Sequence, residues 1–223
     1  VKALYNKREP VPGFHAGMNM SFKVRKRFFL HTSLLYSKKG KILESESSDN
    51  LKISAQYNYI EIPVLYTVEF KTMTSKNREF KWYMGVGPNI SYWLGGKGKI
   101  LDESTRQFGY LNESYRIVFN KSKDDKQEGK MIVENPNRVQ LGLNFGAGFV
   151  FEPFQHRYVM LMFRYELGHS YLSRNSDGVF MNTAYEDPLK IRNNGLRASV
   201  TYLIDTKIEQ RKKGKSTIRK RNK

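Results

Sequence analysis

Four charged residues lie within runs of the chain that otherwise alternate between apolar and small polar residues. They are Glu61, Arg164, Glu166 and Arg197. Acidic and basic side chains on one face of such runs could line a proton or ion path. They could equally form buried ion pairs that hold neighbouring strands together, because a buried charge needs a partner of opposite sign. Which of these applies depends on the elements that position them.

Other residues capable of chemistry are isolated from one another. The four histidines are scattered and show no metal-ligand spacing, so we expect no metal site and no cofactor. Ser170 follows His169 directly, but neighbours on a strand point to opposite faces and cannot act as a nucleophile and its base. No nucleophile-elbow, phosphate-loop or dinucleotide signature is present. We therefore expect no enzymatic activity. The histidines are His15, His31, His156 and His169.

The strongest pattern in the chain is a two-residue period, which predicts β-strands. From Phe14 to Val24 every second residue is apolar and those between are polar or tiny. A run of this kind matches the roughly 9–11 residues that a membrane-crossing strand needs. The register across the turn at 25–27 predicts that His31 pairs with Ser21 and His15 with Ser37. The seven predicted strands cover residues 14–24, 28–37, 57–70, 80–94, 138–151, 158–170 and 196–204.

The connections between these strands alternate in length. Those at 25–27, 71–79 and 153–157 are short or moderate. Those at 38–52, 95–137 and 171–191 are long and polar, and the patch at 115–119 could extend a strand or hairpin beyond the main sheet. Outer-membrane barrels have short periplasmic turns and long extracellular loops. The pattern therefore predicts an all-β, antiparallel, up-and-down transmembrane β-barrel with the long loops outside the cell.

The composition of the two strand faces indicates which of them points outward. The polar face is rich in glycine, serine and asparagine, which suit the crowded inside of a narrow barrel. The apolar face carries aromatic residues towards the strand ends, as a girdle at the membrane interface would. We therefore place Glu61, Arg164, Glu166 and Arg197 inside the barrel as a structural network. A soluble β-barrel or sandwich with the opposite orientation is the alternative.

Composition narrows the set of partners. The 223 residues include no cysteine and carry a net charge of +18, from 39 Lys and Arg against 21 Asp and Glu. Such a charge favours anionic partners, and we expect outer-membrane lipid and lipopolysaccharide, together with other envelope proteins. Nucleic acid is not expected, because no nucleic-acid-binding motif appears. No signal peptide is visible, so either the protein is not exported or the numbering begins after a removed segment.

Several short motifs, taken in order, resemble a known family. They are Tyr59–Leu65 (YIEIPVL), Tyr83–Pro88 (YMGVGP), Leu143–Gly148 (LNFGAG) and Phe163–Gly168 (FRYELG). Together they resemble the PorT-like, or outer membrane protein beta-barrel domain, family of small Gram-negative barrels, over roughly Gly13 to Ile204. The resemblance implies an eight-stranded barrel, usually of unassigned function; the family's namesake takes part in type 9 secretion.

The chain departs from that family pattern in two ways. Seven strands are visible, whereas single-chain bacterial barrels have an even number. We expect the eighth strand to lie upstream of the numbering, before a turn-rich loop at 6–13, or to survive as the remnant Val1–Tyr5. A basic tail, 205–223, follows the predicted barrel domain 1–204.

The functional prediction is an integral barrel with a side-chain-filled interior. Its long extracellular loops would act in binding or assembly, including a secretion-accessory role. The alternatives are a membrane-embedded enzyme or narrow channel, and a soluble β-barrel binding protein.

Overall fold

The structure is a computed structural model, and every regular element in the part of the chain that it describes is a β-strand. Among the described residues there is no α-helix of the length and apolarity that a helical membrane span requires. The described residues are 7–44, 51–73, 79–102, 111–119, 128–154, 157–174, 177–180 and 186–204. The predicted tail 205–223 and the possible strand remnant Val1–Tyr5 lie outside them.

Seven long strands form the body of the sheet. They are β2 Phe14–Arg25, β3 Phe28–Glu44, β4 Leu51–Met73, β5 Glu79–Asp102, β8 Val139–Phe154, β9 Arg157–Gly168 and β12 Gly195–Leu203. They pair in this order, with every neighbour antiparallel. This confirms the predicted all-β, up-and-down arrangement.

The two faces of this sheet are opposite in character, as the alternation predicts. Apolar side chains such as Met18 (77% exposed) and Val200 (73% exposed) point outward. Polar side chains such as Glu61 (0% exposed) and Asn144 (1% exposed) point inward. A soluble β-protein would bury its apolar face instead. The outward orientation of the apolar face is therefore that of a membrane barrel.

Register at the first turn is also as predicted, with one local difference. Ser21 lies opposite His31, and His15 lies opposite Ser37. The simple register of these pairs would place Val24 opposite Phe28, but Arg25 faces Phe28 instead, because the register shifts between Lys23 and Arg25. The short connections after β2, β4 and β8 all lie at this same end of the sheet, which we call the turn end.

At the opposite end, the structure corrects the predicted loops. Strands β3, β4 and β5 continue well past the predicted boundaries, to Glu44, Leu51 and Asp102. The predicted loops 38–52 and 95–137 are therefore in large part strand. The predicted loop 6–13 also contains a short strand, β1 (Lys7–Glu9), whose residues pair with Ile42–Glu44 of β3. Charged and glycine-rich sequence concealed these extensions, because it lacks the clear apolar alternation of the other strands.

A β-bulge separates the two halves of β5. Tyr59 faces Trp93 and Asn58 faces Gly95, so Leu94 is an additional residue on β5. Gly95 has a φ of +147°, a conformation that residues with side chains rarely adopt. An added residue reverses the alternation beyond it. Lys97 and Lys99 consequently point outward, whereas the odd-numbered residues before the bulge point inward.

Beyond the bulge, additional short strands extend the sheet from β5 through β6, β7, β10 and β11. We call this region the cap. It comprises residues 40–44, 51–57 and 93–102, five short strands, Glu134 and the described part of 171–191. The five strands are β1 Lys7–Glu9, β6 Leu111–Phe119, β7 Lys130–Val133, β10 Gly178–Val179 and β11 Glu186–Asp187. The predicted extension at 115–119 is thus confirmed as part of β6.

The seven-stranded body formed by the described residues is not closed. Strands β2 and β12 are its two edges, and within the described residues they pair only with β3 and β9 respectively. Both run from the cap end towards the turn end, and they flank a common cavity of about 610 Å³. Because β2 and β12 run in the same direction, one added strand could pair antiparallel with both edges and so continue the up-and-down arrangement. We call this gap between β2 and β12 the seam.

Candidate functional site

Four charged side chains from four strands meet inside the sheet, near its cap end. Lys39 Nζ of β3 lies 2.6 Å from Glu61 Oε1 of β4 and 2.7 Å from Glu166 Oε1 of β9. Arg197 of β12 donates hydrogen bonds to both carboxylates and completes a closed ring of ion pairs. We call these four residues the interior cluster. They tie strands from opposite parts of the chain to one another.

Neutral side chains complete the hydrogen bonding of the two carboxylates. Ser37 Oγ donates to Glu61 Oε2 at 2.9 Å, and Ser91 Oγ donates to Glu61 Oε1 at 3.4 Å. Asn89 Nδ2 donates to Glu166 Oε1 at 2.9 Å. Two cations balance two carboxylates, and each carboxylate is multiply hydrogen-bonded. Such an arrangement suits a structural role, because a buried ion pair persists only where charge and hydrogen bonding are both satisfied.

Three of the four residues singled out from the sequence are therefore brought together, and one is not. Arg164 lies on β9 two residues before Glu166 and is buried at 6% exposure. No hydrogen bond or ion pair joins its guanidinium to another described residue. It lines the seam cavity together with polar residues of β2 and β3, including Asn19 and Ser33. Arg197, and not Arg164, is thus the arginine bonded to Glu61.

Sequence reasoning missed Lys39, which belongs to the interior cluster. It lies just beyond the predicted end of β3, in a run of charges read as a loop. A usable signal did exist: Leu35, Ser37, Lys39, Lys41 and Leu43 continue the inward-facing period of β3 without a break. Charged side chains hid that period because strand prediction relies on apolar residues.

The histidines form no common site in the described residues. His31 accepts or donates a 2.7 Å hydrogen bond with Ser21 Oγ, across the predicted β2–β3 pair. His15 lines the seam, His169 is exposed, and His156 lies outside the described residues. Ser170 Oγ accepts a hydrogen bond from the backbone N–H of Leu141 at 2.9 Å. Among the described residues it has no hydrogen bond with His169, which is exposed.

The cap has a hydrophobic core of its own. Aromatic and aliphatic side chains from β4, β5, β6, β7 and the 171–191 segment pack together there. Trp93 packs edge-on against Tyr57, with ring centroids 5.5 Å apart, and Tyr115 packs edge-on against Phe180 at 4.9 Å. The fully buried members include Ile53, Tyr57, Trp93, Met131, Val133, Leu172 and Leu189. The cap is therefore a packed structure and not a set of independent loops.

A buried ion pair joins β3 to β11, the last strand of the cap. Lys41 Nζ of β3 lies 2.6 Å from Asp187 Oδ1 of β11 and donates to the Pro188 carbonyl at 3.1 Å. Burial raises the pKa of the Asp187 carboxyl, and the nearby Lys41 ammonium opposes that rise only in part. Burial likewise raises the pKa of the Tyr57 and Tyr115 hydroxyls well above their usual values.

At the cap end of the seam, a second cavity of about 210 Å³ adjoins the interior cluster. It is lined by residues of β2, β3 and β12, including His15, Lys39 and Arg197, and by Asn193 just before β12. No group of three or more histidine or acidic side chains with metal-binding geometry occurs in the described parts of the chain. The cavities are thus features of the unpaired edges.

Comparison with known proteins identifies the domain. The family model described as "Outer membrane protein beta-barrel domain" matches residues 6–172, which include β1 to β9 and the residues Glu61, Arg164 and Glu166. No curated protein and no solved structure matches the chain. The matched segment spans well over half of the 223 residues, and the strand pattern agrees with it. The chain therefore belongs to the outer membrane protein beta-barrel domain family.

Proposed function

We propose that this chain is an integral β-barrel of a Gram-negative outer membrane and acts as a binding or assembly protein through its cap. The observation that carries the proposal is the cap itself, a packed β-structure with its own core at the end away from the short turns. Binding sites commonly lie on segments held by a rigid scaffold. The partner class is another envelope protein, and a secretion-accessory role is one form that such assembly takes.

Membrane integration is supported by the outward band of apolar side chains. On β4, for example, Ile60, Ile62 and Tyr66 point outward and are 39–45% exposed. A contiguous exposed apolar surface of this extent marks contact with a membrane or another protein. Its position between the turn end and the cap matches the band of a transmembrane barrel. The cap then faces the cell exterior, since short turns are periplasmic.

A binding role is favoured over transport or catalysis by the interior. The interior cluster spans the space between β3, β4, β9 and β12. Both of its carboxylates are held in ion pairs and hydrogen bonds with Lys39 and Arg197. Small barrels have interiors that side chains fill. We therefore expect little or no conductance from the purified protein in planar bilayers. Large, stable, water-filled conductance would contradict the binding proposal.

Site-specific photo-crosslinking in intact cells tests the proposal. A photoreactive residue replaces Glu134 or Lys190, two exposed cap positions, and a matched probe replaces Lys26 at the turn end. We expect the cap probes to yield a discrete adduct with an envelope protein that the Lys26 probe does not yield. Met131→Asp is the structural control, because it places a charge at a fully buried position of the cap core.

The control separates cap folding from barrel folding. Met131 lies on β7, which pairs with β6 and β10 and not with the long strands of the seven-stranded body. The Met131→Asp protein should retain heat-modifiable gel migration and lose the adduct. Absence of any adduct from the cap probes in the wild-type protein, or an adduct that persists in Met131→Asp, would overturn the proposal.

A further inference from the structure

A row of basic side chains lies on the outward face of the cap, directly beyond the bulge in β5. Lys97 and Lys99 of β5 and Arg116 of β6 are all exposed. The positions between them point inward: the Tyr115 side chain is buried and packs against Gly98. The three cations therefore share the face on which the outward apolar side chains lie. We call Lys97, Lys99 and Arg116 the basic row.

Two members of the basic row repel one another. Lys97 and Arg116 are direct cross-strand partners. Such partners have Cβ atoms roughly 4.5–5.5 Å apart, and like charges in this position are destabilising. None of the three side chains makes an ion pair with another described residue. The outward cross-strand partners of the two lysines on β4 and β6, apart from Arg116 itself, are Ser54, Gln56 and Ser114, and none of these is acidic.

The basic row lies just above the edge of the outward apolar band. That edge carries aromatic and polar groups at the interface: Tyr36 donates to Asn58 Oδ1 at 3.1 Å, and the Arg138 guanidinium lies 4.6 Å from the centre of the Tyr92 ring. Gln56, the partner of Lys97, is four residues beyond Ile60, the partner of Tyr92. With about 3.4 Å per residue and a tilted strand, the row is about 10 Å above that edge, at the depth of lipid headgroups.

We propose that the basic row binds the phosphate groups of the outer-leaflet glycolipid. This inference rests on the membrane orientation given in the proposed function. The row faces sideways into the headgroup layer, where a soluble partner has poor access. Arginine and lysine are both phosphate ligands, and a phosphate between Lys97 and Arg116 removes their mutual repulsion. The net charge of +18 attracts the same anionic surface.

The test compares two triple variants of the full chain in detergent micelles. The first is Lys97→Gln, Lys99→Gln and Arg116→Gln. The matched control is Arg25→Gln, Lys26→Gln and Arg27→Gln, which removes the same charge at the turn end. Binding of bisphosphorylated lipid A is measured by native mass spectrometry and by the shift in the temperature of heat-modifiable unfolding. Dephosphorylated lipid A and inorganic phosphate are the comparison probes.

We expect the wild-type and control proteins to bind bisphosphorylated lipid A, with the basic-row variant at least tenfold weaker. Binding should weaken as salt rises and should be lost with the dephosphorylated lipid. In micelles without lipid A, the basic-row variant should unfold at the same or a higher temperature than the wild-type protein, because repulsion is removed. That measurement shows that weaker binding does not come from misfolding.

Three results would overturn the inference. They are equal lipid A affinity of the basic-row variant and the wild-type protein, equal affinity for the dephosphorylated lipid, and inorganic phosphate binding as tight as that of the lipid. Failure of this inference is distinguishable from failure of the proposed function. If the cap probes give no adduct but lipid A still binds through the basic row, only the proposed binding role is rejected. If the cap probes give the adduct but the basic-row variant binds lipid A as tightly as the wild-type protein, only the lipid-binding inference is rejected.

Discussion

Arg197 and Glu61 lie 136 residues apart in the chain and are joined by two hydrogen bonds across the interior of the sheet. Glu61 is fully buried, and Lys39, Ser37 and Ser91 also contact its carboxylate. The pair links the last long strand, β12, to β4. Because β12 is an edge strand, this contact is one of the few that hold it to the rest of the sheet besides its pairing with β9.

The first prediction concerns this pair. Glu61→Ala should lower the free energy of unfolding by about 3–5 kcal/mol, because it leaves buried cations without their partner. Adding Arg197→Leu should recover part of the loss. Adding Arg164→Leu instead is the matched control and should recover less, since the Arg164 guanidinium makes no hydrogen bond or ion pair with Glu61. Urea unfolding in a double-mutant cycle measures both couplings. Equal coupling for the two arginines would contradict the geometry described.

The second prediction concerns the orientation of the two faces. Leu143 is 38% exposed on the outward face, and Leu143→Arg should cost about 2–4 kcal/mol in a lipid bilayer. Leu161→Arg, on the same face, should behave alike. Gly146→Ser is the control on the opposite face. A Cβ atom there would meet the flexible end of Leu65 at 3.2 Å, so a smaller loss is expected. Unchanged stability of both arginine variants would mean that the faces are reversed.

The third prediction concerns pH and the buried pair in the cap. The pKa of Asp187 is raised above its ordinary value of 3.8, so the folded cap binds this proton more tightly than the unfolded chain. Stability of the cap should therefore fall as pH rises through the raised pKa. Lys41→Met removes the cation that lowers the pKa of Asp187. In this variant the loss of cap stability should therefore occur at higher pH and should be larger.

Limited proteolysis of the cap between pH 4 and pH 8 measures this effect. Lys52→Met is the control, because the Lys52–Glu44 pair is 44% and 26% exposed and such surface pairs contribute little. The Lys41→Met cap should be protected at low pH and cleaved faster at neutral pH, whereas Lys52→Met should follow the wild-type profile. An identical pH profile for all three proteins would contradict a role for Asp187.

The fourth prediction concerns the seam. We expect an eighth, antiparallel strand between β2 and β12 in the membrane, because single-chain bacterial barrels have even strand numbers. Met18 and Val200 point outward on the two edges. They lie at the same level, since His15 pairs with Ser37 and Ser37 contacts Arg197. An intervening strand keeps their Cα atoms about 10 Å apart, which is too far for a disulfide.

The 223-residue sequence contains no cysteine, so the two introduced cysteines have no other cysteine of this sequence to pair with. The pair Met18→Cys and Val200→Cys should remain reduced under mild oxidation in native membranes. Met18→Cys with Leu34→Cys is the positive control, because these residues are direct partners in β2 and β3. Efficient cross-linking of the first pair would show instead that the seven strands close on themselves.

The alternation of Phe14–Val24 and of the other long runs predicted the strands, their order and the outward apolar face. It did so because side-chain alternation is a property of each strand alone. The short first turn also predicted the pairing of His31 with Ser21, since a tight connection sets register. The same reasoning predicted that Glu61 needs a cation but could not choose between Arg164 and Arg197. That choice depends on how far the sheet curls and on which strands face one another across it.

The alternation pattern did not predict the cap, for a related reason. Its strands are short and charged, and they bury their apolar residues against one another, so no single segment shows a sustained period. Lys97 and Lys99 point outward only because Leu94 is an additional residue opposite Asn58 and Tyr59. Thus the sequence determined the period within each strand. The tertiary structure decided where that period shifts and which side chains meet, because a bulge and a curved sheet depend on pairing between distant segments.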